Sequence, residues 1–176
     1  MTKKQSIISL IASLALVFLT SGLSSLLSKN GMESYPNLAK PPLAPPGIVF
    51  PIVWGILFFL MAISSWLILK ELTQTFSIKG ALLSTPLLLY FAQLLVNFFW
   101  SILFFRFGWY LFAFFWLLLL IFLVYKMIRS FERISHTAAY LQIPYLLWLV
   151  FAGYLGIKLI KSALSRDFLR CKQCLR

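Results

Sequence analysis

The chain has 176 residues, of which 61% are hydrophobic and only 11% are charged. Soluble domains are about half apolar and about a quarter charged, so this composition excludes an ordinary water-soluble domain. A membrane-spanning helix needs about 20 mostly apolar residues, which leaves room for about five such helices and for no separate soluble domain. The formal net charge is +12. Because the basic residues flank apolar stretches, this charge favours anionic lipid head groups as a partner and argues against nucleic acid.

Five apolar stretches are each long enough to cross a bilayer. They predict an all-α integral membrane protein, a multi-pass bundle of five transmembrane helices with its termini on opposite sides of the cell membrane. The first stretch, behind Lys3 and Lys4, also resembles a secretory signal, but its apolar character resumes through Leu26 and Leu27, which favours a retained helix. The five spans cover approximately residues 7–27, 48–69, 81–105, 109–128 and 137–160.

The longest connection, residues 28–47, is rich in proline. Proline lacks an N–H and disfavours helix in the residue before it, so we expect an extended, stiff loop that acts as a lid over the bundle. The other connections are short and force antiparallel neighbours, so residues 1–160 form one domain. Residues 161–176 are a basic tail that we expect to lie at the lipid head groups. Its cysteines, Cys171 and Cys174, provide half of a tetrahedral metal site and are interpreted as exposed thiols.

Few residues in the spans can carry out chemistry. The one histidine, His136, lies in a basic connection, and no span holds a pair of acids. This pattern argues against metal hydrolysis and carboxylate-pair catalysis, and we predict no metal, no cofactor and no catalytic residue. In the third span, Tyr90, Gln93, Asn97 and Ser101 recur on one helical face. Amides in hydrocarbon need partners, so this face looks into the bundle, where it either joins helices or binds a ligand.

Aromatic side chains favour the ligand-binding interpretation. Three spans bring flat rings and a few polar atoms towards one centre, under a proline-rich loop. This composition is typical of a site for a large, flat, hydrophobic molecule. The aromatic residues concerned are Trp54 and Phe58 in the second span, Trp100 beside Asn97 in the third, and Tyr140, Tyr145 and Trp148 in the fifth.

Three sequence segments point to a known family. They read YPNLAKPP from residue 35 with VFPIVW from residue 49, QLLVNFFWS from residue 93, and AAYLQIPYLLW from residue 138. In this order and spacing they resemble the translocator protein family, also called tryptophan-rich sensory proteins. The resemblance covers most of the chain. It implies a five-helix bundle, commonly a homodimer, that binds porphyrins and, in some members, cholesterol and synthetic drug-like ligands.

The resemblance also implies roles for single residues. Trp54 and Asn97 match positions that hydrogen-bond the carbonyl group of a ligand, and Trp148 matches a tryptophan of the cavity wall. The family's sterol motif, a loose pattern, would fall on Val150, Tyr154 and Lys158. For a homodimer, we expect close contacts at small residues such as Gly80, Ser84 and Ala113.

Three functions remain open at this point. The leading hypothesis is a membrane-embedded binding protein for porphyrins, other tetrapyrroles or other hydrophobic ligands, acting as a sensor, chaperone or transporter. One alternative is a light-dependent porphyrin-degrading enzyme, because some bacterial members are reported to break down porphyrin in light through loop and cavity tryptophans. Against it, Ser34 and Leu43 stand where relatives usually have tryptophan. The other alternative is a purely structural helical membrane protein.

Overall fold

The computed structural model describes residues 2–32 and 49–174, with side chains over residues 2–28 and 49–158 and at residue 161. Within these ranges the chain is almost entirely helical and contains no β-strand, so the predicted all-α fold is confirmed. A π-helical turn, Ile102–Arg106, continues α4. The helices are α1 Lys3–Met32, α2 Val49–Thr75, α3 Ile78–Leu82, α4 Thr85–Ser101, α5 Tyr110–Glu132, α6 His136–Tyr140 and α7 Ile143–Cys174.

Five segments of these helices are long and apolar enough to cross a membrane. This finding confirms the prediction of an integral, multi-pass membrane protein with five spans. Two short helices, α3 and α6, lie at the end of the bundle where α1 begins, which we call the N-side; the opposite end is the loop side. The spanning segments are Lys3–Ser28, Val49–Thr75, Thr85–Arg106, Tyr110–Glu132 and His136–Lys158.

Local sequence signals explain several helix ends. The Gln5 N–H donates to Thr2 Oγ1 and the Thr2 N–H donates to Gln5 Oε1, at 3.3 and 3.0 Å. This reciprocal pair is a capping box, which satisfies backbone donors at the start of α1. The fifth span is interrupted between α6 and α7, because Pro144 has no N–H to continue the helical hydrogen bonds. Gly108 has a φ of 63° in the turn before α5, a conformation that favours glycine.

The helices form a closed ring around an interior of mixed polarity. Going round the bundle, α2 is followed by α1, α4, α5 and α7, and α6 completes the ring by packing on α2. The buried residues of α5 recur every three or four positions, as expected for the one side of a helix that packs in the bundle. These residues are Ala113, Leu117, Leu120, Val124, Met127 and Phe131. The outer faces of the spans carry exposed leucine, isoleucine and phenylalanine, as lipid contact requires.

The structure describes only part of two predicted regions, the proline-rich connection and the basic tail. Most of the proline-rich connection expected at residues 28–47, including Ser34 and Leu43, lies outside the described residues. Helix α1 itself continues to Met32, beyond the apolar stretch that ends at residue 27. Helix α7 continues through the basic tail to Cys174, whose side chain is not among those described. The interfacial position of the tail remains a prediction.

Candidate ligand-binding site

A cavity of about 210 Å³ lies on the loop side, between the last turns of α1 and α4 and the first turns of α2. Its walls combine aromatic rings with small hydroxyl groups. Helix α1 contributes one wall, and the end of α4 with the π-helical turn contributes another. The lining residues of α2 are Phe50, Pro51, Trp54, Gly55 and Phe58, and those of α4 and the π-helical turn are Asn97, Phe98, Ser101 and Phe105.

Asn97 gives this cavity an unpaired polar group. Its side chain is only 4% exposed, and its Oδ1 atom has no hydrogen-bond partner among the described residues. The Oγ atom of Ser28, which also lines the cavity, is likewise buried and has no hydrogen-bond partner among the described residues. A buried polar atom without a partner costs about 1–3 kcal/mol, so such atoms in a cavity wall are suited to a ligand or to water.

Of the four residues predicted to share one face of α4, three are buried, and Ser101 is partly exposed in the cavity wall. Tyr90, Gln93 and Asn97 are all buried inside the bundle. Gln93 lies deeper than the cavity, where its Oε1 accepts a hydrogen bond of 3.1 Å from the Tyr145 hydroxyl. Gln93 and Tyr145 therefore join α4 to α7 and do not line the cavity.

Aromatic contacts connect the cavity wall to the core of the bundle. The Trp54 ring lies 5.2 Å from the Phe58 ring and 6.2 Å from the Tyr145 ring. Trp148 meets Phe50 edge to face, with ring centroids 5.8 Å apart. Tyr145 and Trp148 of α7 thus contact rings of α2 but do not line the cavity. Trp54 and Phe58 do line it.

The remaining residues predicted for the site lie elsewhere. Trp100 is buried and stacks on Phe104 with ring centroids 5.2 Å apart. Tyr140 is 66% exposed on the outer surface of α6 and lines neither this cavity nor the second one described below. The residues of the sterol motif follow one exposed strip of α7. They are Val150, Tyr154 and Lys158, whose Nζ lies 5.7 Å from the centre of the Tyr154 ring.

Helix α1 supplies residues that we did not predict from the sequence. Four serines near its end, at positions i, i+3, i+4 and i+7 of one helical face, line the cavity, and the Ser24 hydroxyl donates a hydrogen bond of 3.3 Å to the Phe98 carbonyl oxygen. A signal for them is present in the sequence, because this spacing marks one side of a helix. They are Ser21, Ser24, Ser25 and Ser28, with Thr20 and Phe18 beside them.

Comparison with known proteins identifies the family. A sequence model of the TspO/MBR family matches residues 10–161. The chain belongs to the TspO/MBR family. Over 132 residues it is 37% identical to the translocator protein of Bos taurus, covering 73% of this chain and 74% of that protein. It is 35% identical to the tryptophan-rich protein TspO of Chlorobaculum tepidum, over 72% of this chain and 77% of that one.

A third relative is more distant. The tryptophan-rich sensory protein of Cereibacter sphaeroides is 29% identical over 76% of this chain and 79% of its own length. Family membership confirms the resemblance inferred from the sequence motifs. Together with the five apolar spans, it gives the chain a general role in binding or sensing hydrophobic ligands within a membrane.

The three small residues expected at a dimer contact differ in their exposure. Ala113 is completely buried inside the protomer, where α5 packs on its neighbours. It cannot touch a second copy, because its small side chain belongs to the intramolecular core. Gly80 is exposed and Ser84 is partly exposed, at the N-side of the bundle.

Proposed function

We propose that the loop-side cavity binds a flat, hydrophobic ligand of the tetrapyrrole class within the cell membrane. The observation that supports this most directly is the buried Oδ1 atom of Asn97, which has no partner among the described residues and lies in a wall that also contains Trp54. An aromatic wall offers stacking surface, and a single amide offers one directional hydrogen bond. Sites for drug-sized ligands generally combine a mostly apolar lining with few polar groups of this kind.

The size of the cavity indicates that the bundle opens to admit such a ligand. A volume of about 210 Å³ is below the roughly 300–1,000 Å³ of typical ligand pockets. Helix α1 is the wall best suited to move, because it buries a far smaller share of its residues than the other spans. Few buried contacts make local opening inexpensive. We therefore infer that α1 moves outward when a tetrapyrrole enters.

The groups that line the cavity are suited to binding and releasing a ligand. Among the described residues no group of three or more metal ligands is present, and the cavity wall offers rings, hydroxyl groups and one amide. Such groups bind and orient a ligand. We propose that the protein acts as a sensor, chaperone or transporter for hydrophobic tetrapyrroles, with ligand exchange through the wall that α1 forms.

Two glycine variants test the site. Gly55 lines the cavity, and a Cβ atom added there would meet nothing within 4 Å. Gly22 has equally open surroundings on α1 but does not line the cavity. The substitutions Gly55→Leu and Gly22→Leu therefore make the same helical change, and only the first fills the proposed site. The measurement is a titration of the detergent-purified full-length protein with protoporphyrin IX in the dark, followed by quenching of tryptophan fluorescence.

We expect Gly55→Leu to weaken binding by about tenfold or more, because the leucine side chain takes space that the ligand needs and an overlap of this kind costs about 1–3 kcal/mol. Gly22→Leu should bind as the natural protein does. Equal affinity in all three proteins would place the site elsewhere. Absence of any quenching would favour a purely structural protein. Light-dependent loss of the porphyrin absorbance band would instead make the degrading enzyme the leading function.

A further inference from the structure

A second and larger cavity lies on the N-side, and none of its lining residues lines the site proposed for tetrapyrroles. It has a volume of about 330 Å³ and is enclosed by α1, α2, α3 and the first turns of α4. Its lining is almost entirely hydrocarbon. The residues that line it are Gln5, Ile8, Ser9, Ala12, Ser13 and Leu16 of α1, Ser65, Leu69 and Thr73 of α2, and Ile78, Leu82, Leu87, Tyr90 and Phe91 beyond.

The cavity has the length of one lipid leaflet. Along α1 it runs from Gln5 near the helix start to Leu16, about 16 Å at a rise of about 1.5 Å per residue. On α2 it runs from Thr73, near the helix end, inward to Ser65. Half of a hydrocarbon core about 30 Å thick is about 15 Å. The cavity therefore extends from the N-side surface to about the middle of the membrane.

Two serine hydroxyl groups in this cavity are already paired, whereas the buried Tyr90 hydroxyl has no partner among the described residues. The Ser9 hydroxyl donates to the Ser6 carbonyl oxygen at 2.9 Å, and the Ser65 hydroxyl donates to the Ala62 carbonyl oxygen at 3.0 Å. Each bond is made within its own helix. These serines therefore need no polar partner from a ligand, and a narrow, apolar space of this length fits a single acyl chain.

Three basic residues stand close in sequence to lining residues at the N-side end of the cavity, which we call the rim. Lys4 precedes Ile8 by one turn of α1, Lys70 precedes Thr73 by three positions on α2, and Lys79 follows Ile78 on α3; all three lysines are exposed. Nearby on α2, Glu71 accepts a hydrogen bond of 2.9 Å from the Gln74 amide. The lysines outnumber this one carboxylate, so the rim attracts a negatively charged group.

We propose that the N-side cavity binds one phospholipid with an anionic head group. One acyl chain occupies the space between α1, α2 and α4, and the phosphate lies among Lys4, Lys70 and Lys79. An anchor already fixes α1 at this end, because the Trp66 Nε1–H donates to the Ser6 carbonyl oxygen at 3.0 Å. The bound lipid would complete the packing of α1 without entering the loop-side site.

A pair of matched variants tests the acyl-chain site. Ala12 and Ala15, three positions apart on α1, are both exposed, but only Ala12 lines the cavity. The proteins with Ala12→Phe and Ala15→Phe are purified in mild detergent, with helicity checked by circular dichroism. Each is incubated with equal amounts of dioleoyl phosphatidylglycerol and dioleoyl phosphatidylcholine. Native mass spectrometry then counts the lipids retained per protomer.

We expect the natural protein and Ala15→Phe to retain about one phosphatidylglycerol per protomer, and Ala12→Phe to retain at least about tenfold less, as overfilling the cavity predicts. Equal retention by the two variants would overturn the proposal. So would equal retention of phosphatidylcholine and phosphatidylglycerol by the natural protein, because the basic rim would then contribute nothing.

Substitutions at the rim give an independent test, because they change residues outside the cavity lining. Lys4→Gln, Lys70→Gln and Lys79→Gln should each lower phosphatidylglycerol retention by about fivefold, since one basic residue near an anionic surface contributes about 1 kcal/mol. Lys126→Gln is the control, because Lys126 is exposed on α5, at the same end of the bundle but outside the cavity lining. A loss as large in the control would show that general surface charge, and not this site, holds the lipid.

Discussion

The hydroxyl group of Tyr145 donates a hydrogen bond of 3.1 Å to Oε1 of Gln93, and this bond joins α7 to α4 inside the bundle. Both side chains are completely buried. Hydrogen bonds between membrane helices contribute about 0.6 kcal/mol on average and up to about 1.7 kcal/mol. The bond also holds Tyr145 against Trp54, so it links the stability of the bundle to the wall of the proposed tetrapyrrole site.

A double-mutant cycle measures this bond. We expect Tyr145→Phe to lower the free energy of unfolding by about 1–2 kcal/mol, because it leaves the buried Gln93 Oε1 unpaired. Gln93→Leu should lower it less, because it leaves the Tyr145 hydroxyl unpaired but also removes the Nε2 group, which has no partner among the described residues. The double variant should cost less than the sum, with a coupling of about 0.6–1.7 kcal/mol. Unfolding in sodium dodecyl sulfate from a mild detergent, followed by circular dichroism, is the measurement. Tyr125→Phe, on the exposed face of α5, is the control; strict additivity would contradict the bond.

Gln142 should behave in the opposite way. It is completely buried at the turn between α6 and α7, and neither side-chain amide atom has a partner among the described residues. Replacing a buried, unpaired amide by hydrocarbon of similar size removes a desolvation cost of about 1–3 kcal/mol. In the same unfolding assay, Gln142→Leu should therefore raise the free energy of unfolding, whereas Tyr145→Phe lowers it. A loss of stability in Gln142→Leu would indicate a buried water or other partner at this amide.

Much of the fold could be predicted because lipid imposes a simple rule on the sequence. Each spanning helix needs a long apolar stretch, and the five stretches are visible without any structure. The buried face of α4 was also predictable, since polar side chains at helical spacing cannot face lipid. Tyr140 is different. In one unbroken helix, Tyr140 and Trp148 would share a face, but the interruption before Pro144 turns α6 relative to α7 and leaves Tyr140 exposed.

The contribution of α1 to the site could not be predicted from single residues. Serine is small and can satisfy its hydroxyl group on its own helix, as Ser9 and Ser65 do, so a serine in a span carries no clear sign of function. Ser21, Ser24 and Ser28 belong to the proposed site because they line the loop-side cavity that also contains Asn97 and Trp54. That cavity arises from the packing of α1 on α2 and α4, which is a long-range property of the fold.

Arg106 should favour ligands with carboxylate groups. It is exposed at the end of the π-helical turn, next to Phe105 of the cavity wall, and its Nη1–H donates to the Leu27 carbonyl oxygen at 3.5 Å. We expect Arg106→Gln to weaken binding of protoporphyrin IX by about two- to fivefold, since an exposed ion pair contributes about 0.2–1 kcal/mol. Arg133→Gln, at the opposite end of the bundle, should have no effect.

The carboxylates of the porphyrin provide the decisive comparison for Arg106. Protoporphyrin IX dimethyl ester has the same ring but no charge, so its affinity should be the same in the natural protein and in Arg106→Gln. An equal loss for the acid and the ester would show that Arg106 acts by packing or by holding α1 through Leu27, and not by pairing with a carboxylate.

The protein should form a homodimer in native membranes, as its family resemblance implies. Small residues allow membrane helices to approach closely, and Gly80 is an exposed candidate. Chemical crosslinking in membranes at low expression should trap a species of twice the monomer mass, which coexpression of two differently tagged copies can verify. A strictly monomeric band would count against a dimer.

Asn97 and Trp54 should each contribute one hydrogen bond to a bound tetrapyrrole, and this expectation gives the sharpest prediction for the site. A bond of this kind in a membrane protein is worth about 0.6–2 kcal/mol. Asn97→Leu and Trp54→Phe should therefore weaken binding of protoporphyrin IX by about 3- to 30-fold. Both variants should fold, because Asn97→Leu only removes an unpaired amide and Trp54→Phe keeps an aromatic ring in contact with Phe58.

Trp109→Phe is the matched control for the tryptophan variant, since Trp109 is 57% exposed at the start of α5 and does not line the cavity. It should leave the affinity unchanged.

The same titrations in light distinguish binding of the porphyrin from its breakdown. We expect the porphyrin absorbance to persist, because Ser34 and Leu43 stand where, by the family resemblance, relatives usually have tryptophan. Restoring both tryptophans should leave affinity unchanged and give the variant a light-dependent breakdown that the natural protein lacks. Rapid breakdown by the natural protein would contradict this prediction and make catalysis its leading function.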